Sequence, residues 1–175
     1  MPDVSLYWFR DDLRLSDLPG LAAAAARGSV VPVYVRDIEL GNEWKLGSAS
    51  QWWLHHSLAH LQQALESLGV PLILKTGDTK TTLCRLAREV GATHVYCSRQ
   101  YQPWAAALET DLHADLGAQG VKLKRYPGTL LHEPESIATG SGTPFKVFTP
   151  FWRACNRAPL PQPPLPIPSL SLIHI

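Results

Sequence analysis

Cysteine is scarce in this chain of 175 residues. Only Cys84, Cys97 and Cys155 occur, an odd number set far apart and without a CxxC pair. Neither a disulfide framework nor a cysteine-based zinc site is expected, and the compartment read from this usage is a reducing cytoplasm. An excess of either charge is also missing. Lys and Arg number 16 against 15 Asp and Glu, leaving a net charge of +1. A free-standing DNA binder ordinarily concentrates basic residues on one face. This chain alone is therefore not expected to be the main nucleic-acid surface. No apolar run approaches the ~18 residues of a membrane-spanning helix. The opening MPDVSLYWFRDD has acidic residues and no long apolar stretch, so it does not read as a signal peptide. Phosphate loops are absent too: neither G-x-G-x-x-G nor G-x-x-x-x-G-K-[ST] occurs. Gly140-Ser141-Gly142 lacks a strand and helix around it and reads as a flexible turn.

What is present suits one folded domain. Hydrophobic residues make up 45% and charged residues 18%, enough apolar material to bury a core. Five β-type runs alternate with helical patterns. The runs are residues 4–9 (VSLYWF), 30–35 (VVPVYV), 72–75 (LILK), 94–98 (HVYCS) and 121–126 (VKLKRY). Continuous apolar runs suit strands covered on both faces. The fifth run alternates instead, with Lys122 and Lys124 on one side, and reads as an edge strand. Pro32 is awkward for a central strand and belongs where no ladder donor is needed.

Helices are predicted over 18–27, 48–68, 78–90 and 103–116, ending at Gly28, Gly69, Gly91 and Gly117. In the second, Ser48 and Gln51 have capping-box spacing, and Leu54, Leu58, Leu61, Leu65 and Leu68 share one face. The third opens with Asp78 as an Asx cap. Strand–helix alternation with short connections gives the fold class: α/β, a Rossmann-like doubly wound five-stranded parallel sheet, order 3-2-1-4-5, with helices on both faces.

Residues 1–130 hold this domain. Residues 131–157 read as a loop-like extension whose aromatics Phe145, Phe148, Phe151 and Trp152 pack on the sheet or on another domain. Residues 158–175 read as a proline-rich linker, with six of the 15 prolines in APLPQPPLPIP, followed by a non-native-looking SLSLIHI tail. The tail is expected to pack poorly and to hold no helix or strand. The other tempting residues have plain readings. His56 and His60 stand at i, i+4 without an evident third metal ligand, so no metal is expected. Trp52, Trp53 and Trp104 read as core or interface aromatics, and Cys97 as a buried small hydrophobe.

Five charges crowd the exit of the first strand, in Trp8-Phe9-Arg10-Asp11-Asp12-Leu13-Arg14-Leu15-Ser16-Asp17. That segment resembles the W-F-R-x-D-L-R-L-x-D opening of the DNA photolyase/cryptochrome family. Residues 47–58 (GSASQWWLHHSL) are similar to its G-x-S/A-x-R-x-W-x-x-x-S-L helix start. Residues 142–152 (GTPFKVFTPFW) are similar to its G-x-x-Y-x-V-F-T-P-F-W segment. The resemblance covers residues 4 to about 157. It implies the N-terminal domain that holds a light-harvesting antenna chromophore. It implies a parent enzyme, a deoxyribodipyrimidine photolyase, that uses light and reduced FAD to cleave a carbon–carbon bond pair in pyrimidine dimers. FAD and damaged DNA belong to a C-terminal helical domain that this chain is expected to lack, so alone it is expected to be inactive and monomeric. The alternatives are a cryptochrome-type blue-light sensor domain and a stand-alone adenine-nucleotide domain of the electron-transfer-flavoprotein or stress-protein type.

By resemblance the antenna lies at the carboxyl ends of the strands. The matching cofactor-binding positions are Arg10, Asp12, Asp37, Gln51, Gln100 and Gln102; no catalytic residue is implied. Trp104 and Ala105 stand where an Asn-Glu pair grips folate in some members. Gln51 and Gln100 lack charges that other members present. The antenna is left open among deazaflavin, folate and flavin. Arg10, Asp37, Gln51 and Gln100 are predicted to line one pocket at the topological switch point, over a floor of Phe9, Val35 and Leu54.

Overall fold

The structure is a computed structural model; it describes residues 3–39, 45–159 and 162–171. Its strands are β1 (Asp3–Phe9), β2 (Gly28–Arg36), β3 (Ile73–Thr76), β4 (His94–Ser98) and β5 (Lys122–Tyr126). Its helices are α1 (Pro19–Arg27), α2 (Ser48–Ser67), α3 (Thr79–Glu89), α4 (Pro103–Ala118) and α5 (Phe148–Arg157). The sheet order is β3-β2-β1-β4-β5 and every pairing is parallel, as the alternation of runs predicts. Pro32 pairs opposite Tyr7, and the β2–β3 ladder begins one residue later, at Val33. Its missing N–H therefore costs nothing on the β3 side.

The pleat sorts β1 between two cores. Leu6 and Trp8 join Val33, Val95, Leu83, Leu112 and Leu116 on the face covered by α3 and α4. Tyr7 and Phe9 join Leu21, Leu61, Leu65 and Tyr96 on the face covered by α1 and α2. Fully buried leucines such as Leu61 and Leu65 each contribute roughly 1.5–3 kcal/mol of transfer free energy. α1 runs into β2 without a loop, with Gly28 both the C-cap of the helix and the first residue of the strand. A Cβ there would lie 2.3 Å from the Asp3 carbonyl oxygen, so β1 can start where it does only because Gly28 has no side chain.

Four local expectations need correction. The capping box does not form: Gly47 is the N-cap of α2, which shifts Ser48 into the first helical position. Gln51 turns back to donate to the Leu46 carbonyl at 2.8 Å instead. Along the leucine stripe only Leu61 and Leu65 are buried; Leu54 and Leu58 are half-buried, and Leu68, at the C-cap, is exposed. Residues 148–157, read as loop, form α5. Pro150 falls in its first turn, where a missing N–H breaks no helical bond. No residue of α5 is buried, and Phe148 is 70% exposed, so its aromatic run does not pack on the sheet.

The tail also departs from expectation. Described residues 162–171 hold no helix or strand, yet they dock. Asp17, at φ +54, donates its amide to the Leu165 carbonyl at 2.8 Å, and its carboxylate accepts the Leu165 amide at 3.2 Å. Val30 donates to Ser171, and Leu170 packs against the α1–α2 core. An extended proline-rich segment keeps its carbonyls free, and the left-handed turn at Asp17 presents the matching N–H. Among the described residues, no helix is long and apolar enough to cross a membrane.

Candidate functional site

A doubly wound sheet opens a crevice where neighbouring strands send their connections to opposite faces. Here that point lies between β1 and β4. The crevice has two lobes that share Arg10, Asp11, Tyr34, Leu46 and Leu54. The inner lobe, of about 660 Å³, is walled by the exits of β1, β2 and β4 and by one side of α2. The outer lobe, of about 920 Å³, lies between the Asp11–Arg14 segment and the exposed face of α2.

Five of the six positions picked from sequence line the inner lobe: Arg10, Asp37, Gln51, Gln100 and Gln102. The expected floor, Phe9, Val35 and Leu54, lines it as well. Asp12 instead faces the outer lobe, 3.3 Å from Arg14. Removal from water pushes its carboxyl above the ordinary value, against the pull of Arg14.

Most of these side chains already hold the crevice together. Asp37 accepts from the Thr79 amide at 2.9 Å, tying the β2 exit to the first turn of α3. It also accepts the Glu39 amide at 3.1 Å. Gln51 accepts from Arg36 at 3.2 Å while donating to Leu46. Gln100 donates to the Asp11 carboxylate, bridging the β4 and β1 exits across the switch point. Gln102 accepts from the Tyr101 amide at 3.2 Å, just before α4. These bonds fix the walls before any ligand arrives.

Arg10 is the exception to a rim role. It is only 7% exposed. Its Nη1 donates to the Ser98 carbonyl at 3.2 Å and pairs with Glu109, and the guanidinium lies 4.3 Å from the centre of the Trp8 ring. Its Nη2 is buried without a hydrogen-bond partner. Glu109 shares its other oxygen with Arg125 at 2.8 Å. Beneath this cluster burial pushes the Cys97 thiol up to about 12, which leaves it an inert hydrophobe as expected.

Sequence reading missed several wall residues: Trp8, Tyr34, Arg36, Lys45, Leu46 and His55 all line the inner lobe. It also missed Glu109, for which a signal exists. Ala105, Glu109, Leu112 and Leu116 form one buried row on α4. An acid in an apolar row announces a buried partner. Trp52 and Trp53 are exposed and line the outer lobe, while Trp104 lines the inner one. Among the described residues, no group of three or more potential metal ligands forms around His56 and His60.

The sequence model of the DNA photolyase family matches residues 5–169. The chain belongs to the DNA photolyase family. A deoxyribodipyrimidine photo-lyase of Agrobacterium fabrum is 44% identical over 160 residues, covering 91% of this chain and 33% of that protein. Cryptochrome-2 of Arabidopsis thaliana is 37% identical over 169 residues, covering 96% of this chain and 28% of that protein. A solved bacterial class III photolyase from Agrobacterium tumefaciens superposes with a TM-score of 0.92 at 41% identity. That match covers 100% of this chain and 36% of the other. This photolyase-family chain therefore spans about a third of the length of the relatives it matches, and its fold is that of their N-terminal domain. The match reaches through the proline-rich stretch to residue 169, so most of the docked linker is family sequence.

Proposed function

We propose that this chain is the antenna-holding domain of a photolyase, and that its inner lobe takes the light-harvesting chromophore. One observation carries the reading: five positions chosen by family resemblance converge on a single cavity of about 660 Å³ at the switch point. That volume falls in the range of small-molecule sites, and its apolar floor with a polar rim suits a planar heteroaromatic ring. Asp37, Gln51, Gln100 and Gln102 would rim the ring, and Phe9, Val35 and Leu54 would floor it. The chromophore, a deazaflavin, a folate or a flavin, supplies absorption of light and transfer of the excitation energy. The chain's own residues bind it, orient it and exclude water from its buried edge.

The parent reaction is light-driven repair of cyclobutane pyrimidine dimers by reduced FAD. FAD and damaged DNA would be held by a helical portion that the matched relatives carry beyond this third. The protein would act as a monomer in the cytoplasm. The exposed aromatic face of α5 is suited to contact that helical portion. The similarity to Cryptochrome-2 supports a second reading, a blue-light sensor built on the same cavity.

Titrating the chain with ATP, FMN, FAD, folate and a deazaflavin, read by melting temperature and fluorescence, tests the cavity. One planar pigment should bind. The Asp37→Ala/Gln51→Ala double variant should lower its occupancy while circular dichroism stays native. Preference for ATP over every pigment would overturn the reading. Grafting the chain in place of the corresponding third of the Agrobacterium photolyase tests the antenna role: photoreactivation of ultraviolet-damaged DNA should extend to the wavelengths that the bound pigment absorbs, and an action spectrum without that band would contradict it.

A further inference from the structure

We propose that Glu133 is a positioning residue for the antenna cavity, which rests on the pigment reading above. Through Arg99 and Tyr101 it holds the β4 exit so that Gln100 and Gln102 stay on the rim. It thereby couples the extension that carries α5 to pigment binding.

The connection from β4 to α4 is residues 99–102, and its side chains alternate. Gln100 and Gln102 line the inner lobe, whereas Arg99 and Tyr101 line neither lobe. The two outward residues grip the extension instead. Arg99 donates from Nη1 to Glu133 at 2.6 Å and from Nη2 to Glu135 at 2.7 Å. Tyr101 donates its hydroxyl to the other oxygen of Glu133 at 2.7 Å, and its ring centre lies 5.5 Å from the Arg99 guanidinium. Glu133 therefore bridges the residues on either side of Gln100, one oxygen for each. Partial removal from water, with Glu133 beside it, pushes the Tyr101 hydroxyl up to about 12, so it stays a donor at neutral pH.

A 3-10 turn over Pro134–Ser136 presents the two carboxylates together. The Ser136 amide and hydroxyl both donate to the Glu133 carbonyl, at 2.9 and 2.7 Å. Of the pair, Glu133 is the stronger hold: its side chain is 22% exposed against 66% for Glu135, so water and salt screen it less. On the cavity side, Gln100 donates to Asp11 and Gln102 accepts the Tyr101 amide. Both bonds depend on where residue 101 sits, so releasing Tyr101 frees Gln100 and Gln102 to leave the rim. From Ser136 the chain runs on to α5, none of whose residues is buried. A contact made on α5 thus reaches the cavity wall through Glu133. Linkage makes the coupling reciprocal, so pigment in the cavity steadies the turn.

The test titrates riboflavin and folic acid into the intact chain, and the probe that binds reports. Glu133→Ala removes both acceptor oxygens and should weaken that probe about fivefold or more while circular dichroism stays native. Glu133→Gln keeps an oxygen for Tyr101 and should stay within about twofold of wild type. Asp115→Asn, which removes the carboxylate of the Lys80–Asp115 pair between α3 and α4, should leave affinity unchanged. In the ligand-free chain, the Gln100 and Gln102 side-chain amide signals should broaden in Glu133→Ala. In the wild-type chain the bound probe should shift the backbone amides of Glu135 and Ser136, which line neither lobe, and Glu133→Ala should abolish that response. A merely structural role would lower stability with these responses intact. Unchanged affinity and unmoved Gln100 and Gln102 signals in Glu133→Ala overturn this proposal and leave the cavity reading standing. Failure of both probes to bind the wild-type chain overturns both.

Discussion

Removing the Glu109 charge should be among the most damaging single changes to the domain. In the fold, Arg10 and Glu109 side chains are 4% and 2% exposed, so their pairing is almost wholly withdrawn from water. Breaking a buried pair from one side strands the other charge, at a cost of about 3–5 kcal/mol. The second arm adds little. Arg125 is 51% exposed, and pairs of that kind contribute roughly 0–1 kcal/mol. Glu109→Gln should therefore destabilise by about 3–5 kcal/mol, whereas Arg125→Gln should cost about 1 kcal/mol or less. At roughly 2–4 °C per kcal/mol for a chain of this size, Glu109→Gln lowers the melting temperature by about 6–20 °C. The assay is urea unfolding followed by circular dichroism, with the slope m checked for constancy. Arg10→Met with Glu109→Leu removes both charges and should recover most of the loss, because no uncompensated ion remains. A Glu109→Gln variant within about 1 kcal/mol of the parent, or a double variant whose losses simply add, would refute this account of the cluster.

Three further outcomes follow from other parts of the fold. Burial, reinforced by Arg27, holds the His94 imidazole below its ordinary value of 6.5. The unfolded chain then takes up the proton first, so stability present above about pH 6.5 is lost as pH falls toward the lower folded value. The urea midpoint should drop between pH 7.5 and 5.5 and drop less in His94→Gln; equal slopes would contradict this. Deleting the chain from residue 162 onward removes the paired Asp17–Leu165 bonds and uncovers the core beside Leu170. It should cost about 1–3 kcal/mol, and an unchanged melting temperature would show that the strap carries no stability. Phe148→Ser with Trp152→Ser, both on the exposed face of α5, should leave stability within about 0.5 kcal/mol while reducing self-association and dye binding. A large drop in stability would show that α5 packs on the domain.

Topology was legible because the first four strands carry apolar runs, the fifth an alternating one, and glycine follows α1, α2 and α3 within two residues. The exits of β1, β2 and β4 had to meet once the order was known. That is why Asp37, Gln51 and Gln100 could be placed around one opening. Features that depend on a distant partner were not legible. Arg10 reads as a rim residue until Glu109, 99 positions away, pulls it into the core. The docking of Leu165 depends on a left-handed turn at Asp17 that no local propensity announces. α5 was hidden by Pro150, which reads as a breaker unless the helix start is already known. The capping box failed by one residue, because Gly47 rather than Ser48 takes the N-cap.

The central claim is that the inner lobe is where the chromophore binds. Titrating the 15N-labelled chain with its best-bound pigment and following backbone amides and tryptophan indole signals tests it most directly. The account predicts large shifts at Asp37, Gln51, Gln100 and the Trp104 indole, all lining the lobe, with the Trp152 indole of α5 unmoved. Shifts confined to Trp152 and the α5 face, with the strand exits silent, would contradict it.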